Sequence, residues 1–279
     1  MSDDLIGMRS LPGENGFDYS TMNWAKLTNR GYELSLSTVN VKTKDFRWVM
    51  DFNLAHNKSK INRLNVRDNS YEPSREGYSV GAVFSLKTAG LDENGLQMFY
   101  NKQGEKVSFN DFFGLEYGYM MGGLIPFLKS NLSAEEYRNL FTYEGTTEPK
   151  FTGGWINRFY YKNFDLTVSA SFVLDQTVQE QPFYNPVQTS PGQNYSRRMS
   201  QIWSPDNTSG KYPRIMGTYT EGEENWAYQW LGMLDPGNSY RKYDYWFKKM
   251  SYMRINSIRL GYTFPERLLG HIGFSSARI

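Results

Sequence analysis

From Phe164 to Leu174 apolar and polar residues alternate, with Phe164, Leu166, Val168, Ala170, Phe172 and Leu174 on one side and Asp165, Thr167, Ser169 and Ser171 on the other. Phe46 to His56 repeats the pattern: Phe46, Trp48, Met50, Phe52 and Leu54 oppose Arg47, Asp51 and Asn53. Tyr32, Leu34 and Leu36 face away from Glu33, Ser35 and Ser37, and Ile258, Leu260, Tyr262 and Phe264 form another such series. A strand sends successive side chains to opposite faces, so each run has one side for an apolar medium and one for water. The medium is either a protein core or lipid.

The runs predict strands at about 24–41, 46–60, 151–161, 164–175, 241–264 and 271–279. Three tight connections join them, at Lys42 to Asp45, Tyr161 to Asn163 and Pro265 to Arg267. Two very long ones, 62–150 and 176–240, are rich in Gly, Pro, Asn, Ser and Tyr. Connections beyond about 15 residues are uncommon in a compact domain. In an outer-membrane barrel they are expected, because one end carries short turns and the other long loops. Strand parity places every short turn on one side and every long loop on the other. Within the first loop, Ser133-Ala-Glu-Glu136 is a capping box predicting a short helix to about Phe141, and Gly90 to Gly95 reads as turn punctuation.

The 279 residues have a mean hydropathy of -0.63 and are 22% charged, values usual for soluble proteins. No run approaches the roughly 20 apolar residues of a spanning helix, which excludes a helical membrane protein but not a barrel, whose strands are half polar. Aromatic content is 16%, with 21 Tyr and 7 Trp, which suits interfacial girdles or sugar-stacking surfaces. Net charge is +2 with no Lys/Arg block, so nucleic acid is not an expected partner. Cysteine is absent, which removes disulfides and thiolate chemistry. The start, Met1-Ser-Asp-Asp-Leu-Ile, has neither a basic n-region nor an apolar h-region, so the chain reads as cytosolic or as starting at an unnatural N-terminus.

Six motifs in one order carry a resemblance. Asn29-Arg-Gly31-Tyr-Glu33-Leu34 precedes Trp48 and Phe52-Asn53; Gly77-Tyr-Ser-Val-Gly81 and Gly90-Leu-Asp-Glu-Asn-Gly95 follow. Then come Gly153-Gly154-Trp155 with Tyr161-Lys-Asn-Phe-Asp-Leu166, Trp203-Ser-Pro-Asp-Asn207 before Tyr212-Pro-Arg214, and Ser251-Tyr-Met-Arg254 through Gly261-Tyr-Thr-Phe-Pro265. Over nearly the whole chain the set resembles the SusC/RagA-type TonB-dependent outer-membrane transporters of Bacteroidetes, with Ser79 where the family has a proline.

The resemblance implies an all-β fold: an antiparallel transmembrane β-barrel segment, about six strands of a barrel of about 22, with long extracellular loops. Residues 1–279 would be a partial receptor barrel, with 62–150 a large extracellular loop holding the short helix, 176–240 a second extracellular loop, and the plug domain absent. Known barrels start at about eight strands, so such a piece transports nothing by itself. The implied function is nutrient import, of an oligosaccharide or peptide, across the cell outer membrane. The implied partners are the rest of the barrel and plug, membrane lipid, a SusD-like lipoprotein and the TonB complex. The alternative is a soluble all-β carbohydrate-binding module or glycoside-acting enzyme.

No catalytic residues, metal site or cofactor is expected, and the protein does not read as an enzyme. His56 and His271 lack metal-ligand spacing, no nucleophile elbow or phosphate loop is present, Asp92, Glu93 and Asn94 read as a turn, and Glu221, Glu223 and Glu224 as solvated loop. Ligand-binding candidates are loop aromatics, because rigid rings stack on sugar faces at small entropic cost: Tyr184, Tyr195, Trp203, Trp226, Tyr228 and Trp230, with Tyr219 beside them. Trp48, Trp155 and Tyr262 are expected in the lipid-facing girdles. Arg47, Asp51, Arg158 and Arg259 are expected to face the lumen.

Overall fold

The computed structural model describes residues 2–10, 14, 19–64, 76–120, 125–186, 192–215, 239–269 and 276–279. The chain opens with β1 (Ser2–Ser10), β2 (Tyr19–Lys42) and β3 (Phe46–Leu64). The first long connection holds β4 (Ala82–Leu86), β5 (Thr88–Leu91), β6 (Gln97–Tyr100), β7 (Lys106–Val107), α1 (Phe109–Phe113), β8 (Leu115–Met120), β9 (Ile125–Ser130), α2 (Ala134–Arg138) and β10 (Phe141–Thr146). The long strands resume with β11 (Phe151–Tyr161), β12 (Phe164–Gln179) and β13 (Phe247–Tyr262), followed by the short α3 (Glu266–Leu269).

One sheet takes the six long strands in the order β1-β2-β3-β11-β12-β13, antiparallel throughout. Its membership differs from the sequence expectation at both ends. β1 was not expected, because Ser2-Asp-Asp-Leu-Ile-Gly carries no alternation. The predicted 271–279 strand falls largely outside the described residues; what is described is an antiparallel bridge from Arg278 to Thr263, with the Ile279 N–H donating to Tyr262 O. Around Pro265 the chain forms α3 before it returns, in place of a tight turn. The expected helix in the first connection is α2; its capping box is present, with Ser133 Oγ accepting from the Glu136 N–H, and it ends at Arg138 so that Phe141 belongs to β10.

The register gathers most of the large apolar residues of β2, β3, β11, β12 and β13 onto one face. Across the sheet, Leu36, Phe52, Trp155, Ala170 and Ile255 lie in one row, and Thr38, Met50, Asn157, Val168 and Ile258 in the next. Among the described residues this face has no second layer. Leu34 is 51% exposed, Ile258 64% and Leu260 71%, and among the described residues Ala170 is the only buried one in the rows that run from that of Phe46 to that of His56. Gly153 is demanded by close approach: a Cβ there would stand 2.2 Å from Asn53 O and 2.7 Å from Phe172 Cζ. Its absence lets Phe172 lie across the strand toward Phe52 and Trp155, with ring centroids 6.2 Å from each.

The buried core lies elsewhere. Leu86, Phe99, Phe109, Phe112, Phe113, Leu115 and Tyr137 of the first connection pack with Tyr184, Ile202, Tyr212, Tyr240, Tyr243 and Trp246 of the second. Phe99 stacks on Phe112 at 4.4 Å and meets Tyr243 edge-on at 5.3 Å, so both connections share one aromatic interior. This cap is rooted on the loop-end extensions of β3 and β12. Ser59 donates to Glu148 and accepts from the Val80 N–H, and the Thr177 hydroxyl donates to Glu144 O. Arg198 pins the second connection: its guanidinium lies 4.5 Å over Phe183, donates to Tyr212 Oη at 2.6 Å, and pairs with Glu180, which Lys248 also engages.

Candidate functional site: wall, lumen face and loop pocket

The apolar face has a defined height. Its first row, beside the short turns, is Phe46, Tyr161, Phe164 and Tyr262, and its last is Tyr32, His56 and Phe151. Those rows lie ten residues apart on β3; at about 3.3 Å per residue and a tilt near 45° they enclose about 23 Å, close to the apolar band of an outer-membrane barrel. Both borders are aromatic. Phe164 and Tyr262 stand 4.6 Å apart at the turn end, and the His56 ring lies between Tyr32 at 5.0 Å and Phe151 at 5.1 Å at the loop end. Tyr262 is therefore a border residue, as its position suggested. Trp48 stands one row in, and Trp155 sits in the middle of the band beside Phe52, so it packs the wall and does not belong to a girdle. Asn157, an amide on this face, accepts from the Trp48 indole N–H at 3.0 Å, which satisfies the indole donor in an apolar setting.

The opposite face is polar and internally paired. Asp51 accepts from Ser37 Oγ at 2.8 Å and from Arg158, linking β2, β3 and β11. Ser169 and Ser257 meet at 2.8 Å, Arg278 engages Asp165 at 2.6 Å, and Arg47 lies 4.4 Å over the Tyr160 ring. Arg47, Asp51, Arg158 and Arg259 all fall on this side by register. A charged wall opposite a greasy one is what a water-filled lumen requires.

The cap carries an open pocket of about 770 Å3 lined by Met199, Ile202, Trp203, Pro205, Asn207 and Arg214, within the range of small-ligand sites. Trp203 is set by its neighbours: its backbone N–H donates to Tyr212 O at 2.9 Å, and the indole lies against Gly95, where a Cβ would come within 2.3 Å of the ring. Gly95 also has φ +76, a conformation glycine adopts without strain. Asp92 shapes the same turn, its Oδ1 accepting from the Asn94 and Leu96 N–H groups.

Among the sequence candidates, Trp203 lines this pocket and Tyr195 is exposed nearby in sequence. Tyr184 is buried in the aromatic interior with its hydroxyl on Pro213 O at 2.8 Å, so its ring packs the cap and presents no face to a ligand. Tyr219, Trp226, Tyr228, Trp230, His271 and the glutamates at 221, 223 and 224 lie outside the described residues. Sequence reasoning missed Arg198 and Glu180, whose partners are up to 68 residues away and leave no local signal.

No family model matches the chain. Among characterised proteins it is similar over its whole length to the TonB-dependent receptor P3 of Formosa agariphila, 27% identical over 296 residues that make up 26% of that protein. It is also similar to the TonB-dependent receptor SusC of Bacteroides thetaiotaomicron, 24% identical across 95% of this chain and 23% of SusC. The chain is homologous to TonB-dependent receptors of the SusC/RagA type. It spans about a quarter of the length of these curated relatives. The fold agrees: the RagAB peptide importer in its closed-closed state superposes with a TM-score of 0.67 at 18% identity, over 99% of this chain and 27% of that one. The open six-stranded sheet is thus a wall segment of an outer-membrane β-barrel, not closed within this chain.

Proposed function

We propose that the chain forms part of the wall and the outer cap of a TonB-dependent importer that carries a nutrient, an oligosaccharide or a peptide, across the outer membrane. Its partners in this reading are the rest of the barrel and its plug, a SusD-like lipoprotein acting as lid, and the TonB complex as energy source. The uncovered apolar face opposite a paired polar one carries the reading, because a soluble module would bury that face. The short turns then face the periplasm, and the two long connections form an extracellular cap. Trp203 and Tyr195 offer ring faces to the substrate, while the assembled barrel performs passage and no bond-breaking step.

Bromine-labelled phospholipids test the wall. In the full-length receptor reconstituted in bilayers, Trp155 should be quenched most by bromines deep in the acyl chains, Trp48 by shallower ones, and Trp203 by neither. Equal insensitivity of Trp155 and Trp203 would overturn the membrane reading. Trp203→Ala, with the cap still folded, should weaken substrate binding without changing barrel formation.

A further inference from the structure

The polar face changes character across its width. On β3 and β11 its charges are met within the wall, where Asp51 pairs with Arg158. On β13 two cations are not. Arg259 lies opposite Thr167 and Arg254 opposite Ser171, both on the lumen side by register and both exposed, and neither side chain bonds or pairs with another described residue. Four residues of β12 separate Thr167 from Ser171, so the two arginines are rooted about 13 Å apart along the wall. The interval between them is neutral and rich in hydroxyls. A bulge in β13 turns both Asn256 and Ser257 to this side: Ser257 meets Ser169 at 2.8 Å, and Asn256 Oδ1 accepts from Ser171 Oγ at 3.2 Å, which leaves the Asn256 amide hydrogens to donate. Acid groups do not balance the strip. Asp165 is engaged by Arg278 and Glu180 by Lys248, while Glu33 stands on β2, four strands from β13 and roughly 19 Å away, beyond the Debye length of physiological salt.

The cap pocket repeats the sign of charge. Arg214 lines it together with Trp203 and the amides of Asn94 and Asn207, and no carboxylate is among its described lining residues. We propose that the solute carried past this wall is an anionic oligosaccharide, whose carboxylate or sulfate groups are received by Arg259 and Arg254 in the lumen and by Arg214 in the cap. A guanidinium offers a planar fork of donors to an oxyanion, and a cationic strip in a confined water-filled passage concentrates anions. The groups between the two arginines select the rest of the ligand. Serine hydroxyls and an amide answer the hydroxyls of a sugar, and the flat ring of Trp203 suits a pyranose face. A peptide is read through its side chains, and this strip offers them hydroxyls and an amide in place of apolar sockets. The inference rests on the importer reading and narrows its solute to one charged class.

The test offers the full-length receptor, in bilayers, three pools of solutes of mixed linkage and sequence: oligosaccharides bearing uronate and sulfate groups, the same oligosaccharides after carboxyl reduction and desulfation, and acidic peptides of matched charge. Retained molecules are identified by mass spectrometry, and the tightest is titrated. The acidic oligosaccharides should be retained and their neutralised forms should not, with retention falling as salt rises. Carboxyl reduction and desulfation, applied separately, show which acid group the arginines receive. R254Q/R259Q should bind the titrated ligand roughly thirtyfold more weakly, which is about 2 kcal/mol, whereas R254K/R259K should stay within a few-fold of the native protein. Equal retention of the neutralised pool, preference for the acidic peptides, or native affinity in R254Q/R259Q would each overturn the proposal. So would a double glutamine variant that loses heat-modifiable migration, since the arginines would then be pairing with acids elsewhere in the barrel. The two readings fail separately: a receptor that retains neutral sugars or peptides loses only the charged class, and one that forms no barrel loses the importer reading as well.

Discussion

The sheet and the cap are built from similar residues with opposite polarity of packing. In the sheet, Leu260 and Ile258 point outward and stay uncovered, and the hydrogen-bonded network of Asp51, Arg158 and Ser37 occupies the other side. In the cap, Phe99, Phe113, Tyr243 and Trp246 are fully buried and the charges lie at the periphery. Burial alone cannot say which region is stable, because the solvent for the sheet's apolar face is lipid. The sheet is held by its backbone ladder and by hydrocarbon; the cap is held by the ordinary hydrophobic effect.

Four substitutions or conditions should separate these regimes, from the largest effect to the smallest. Phe99→Ala removes a fully buried ring and should cost the cap about 3–5 kcal/mol, seen as protease cutting in the connections while the barrel remains heat-modifiable. Ile255→Arg places a cation in the middle row of the band and should cost about 2–4 kcal/mol of barrel stability in bilayer unfolding, with cap proteolysis unchanged. If Ile255→Arg loosened the cap and left the wall intact, the division between the regions would be wrong. Arg198→Lys loses a flat guanidinium over Phe183 and the bond to Tyr212, and should cost about 1 kcal/mol in cap stability. The smallest effect is acid sensitivity. Lys248 first, and then Arg198, hold the Glu180 carboxyl below the usual range, so its tie is fully present above the ordinary glutamate value and is lost only as pH falls through the lower native one. Glu180→Gln should flatten the acid limb of a cap-proteolysis curve, because the variant lacks the tie at neutral pH and differs least from the native protein in acid.

The sheet was legible because a single physical rule, period-two alternation, runs through Phe46 to His56 and Phe164 to Leu174. Two of the three turns followed, Lys42 to Asp45 between β2 and β3 and Tyr161 to Asn163 between β11 and β12. β1 carries no such signal, and its place was set only by pairing with Tyr19 to Leu27. The cap was scarcely legible. Its strands run two to six residues, too short to show a period, and its interior joins Leu86 to Tyr243 across 157 positions. The same limit explains Tyr184 and Trp203: composition marks both as loop aromatics, and only the tertiary contacts turn one inward and leave the other lining a pocket.

The interior shared by the two long connections has a mechanical consequence. Neither connection can swing independently, since drawing Phe99 outward pulls on Tyr243, and Tyr243 stands four residues before the start of β13. Force on one side is delivered to the roots of both. Any widening of the mouth on this flank is a concerted displacement of one stiff block, pivoting where Ser59 and Glu180 fasten it to the strand ends.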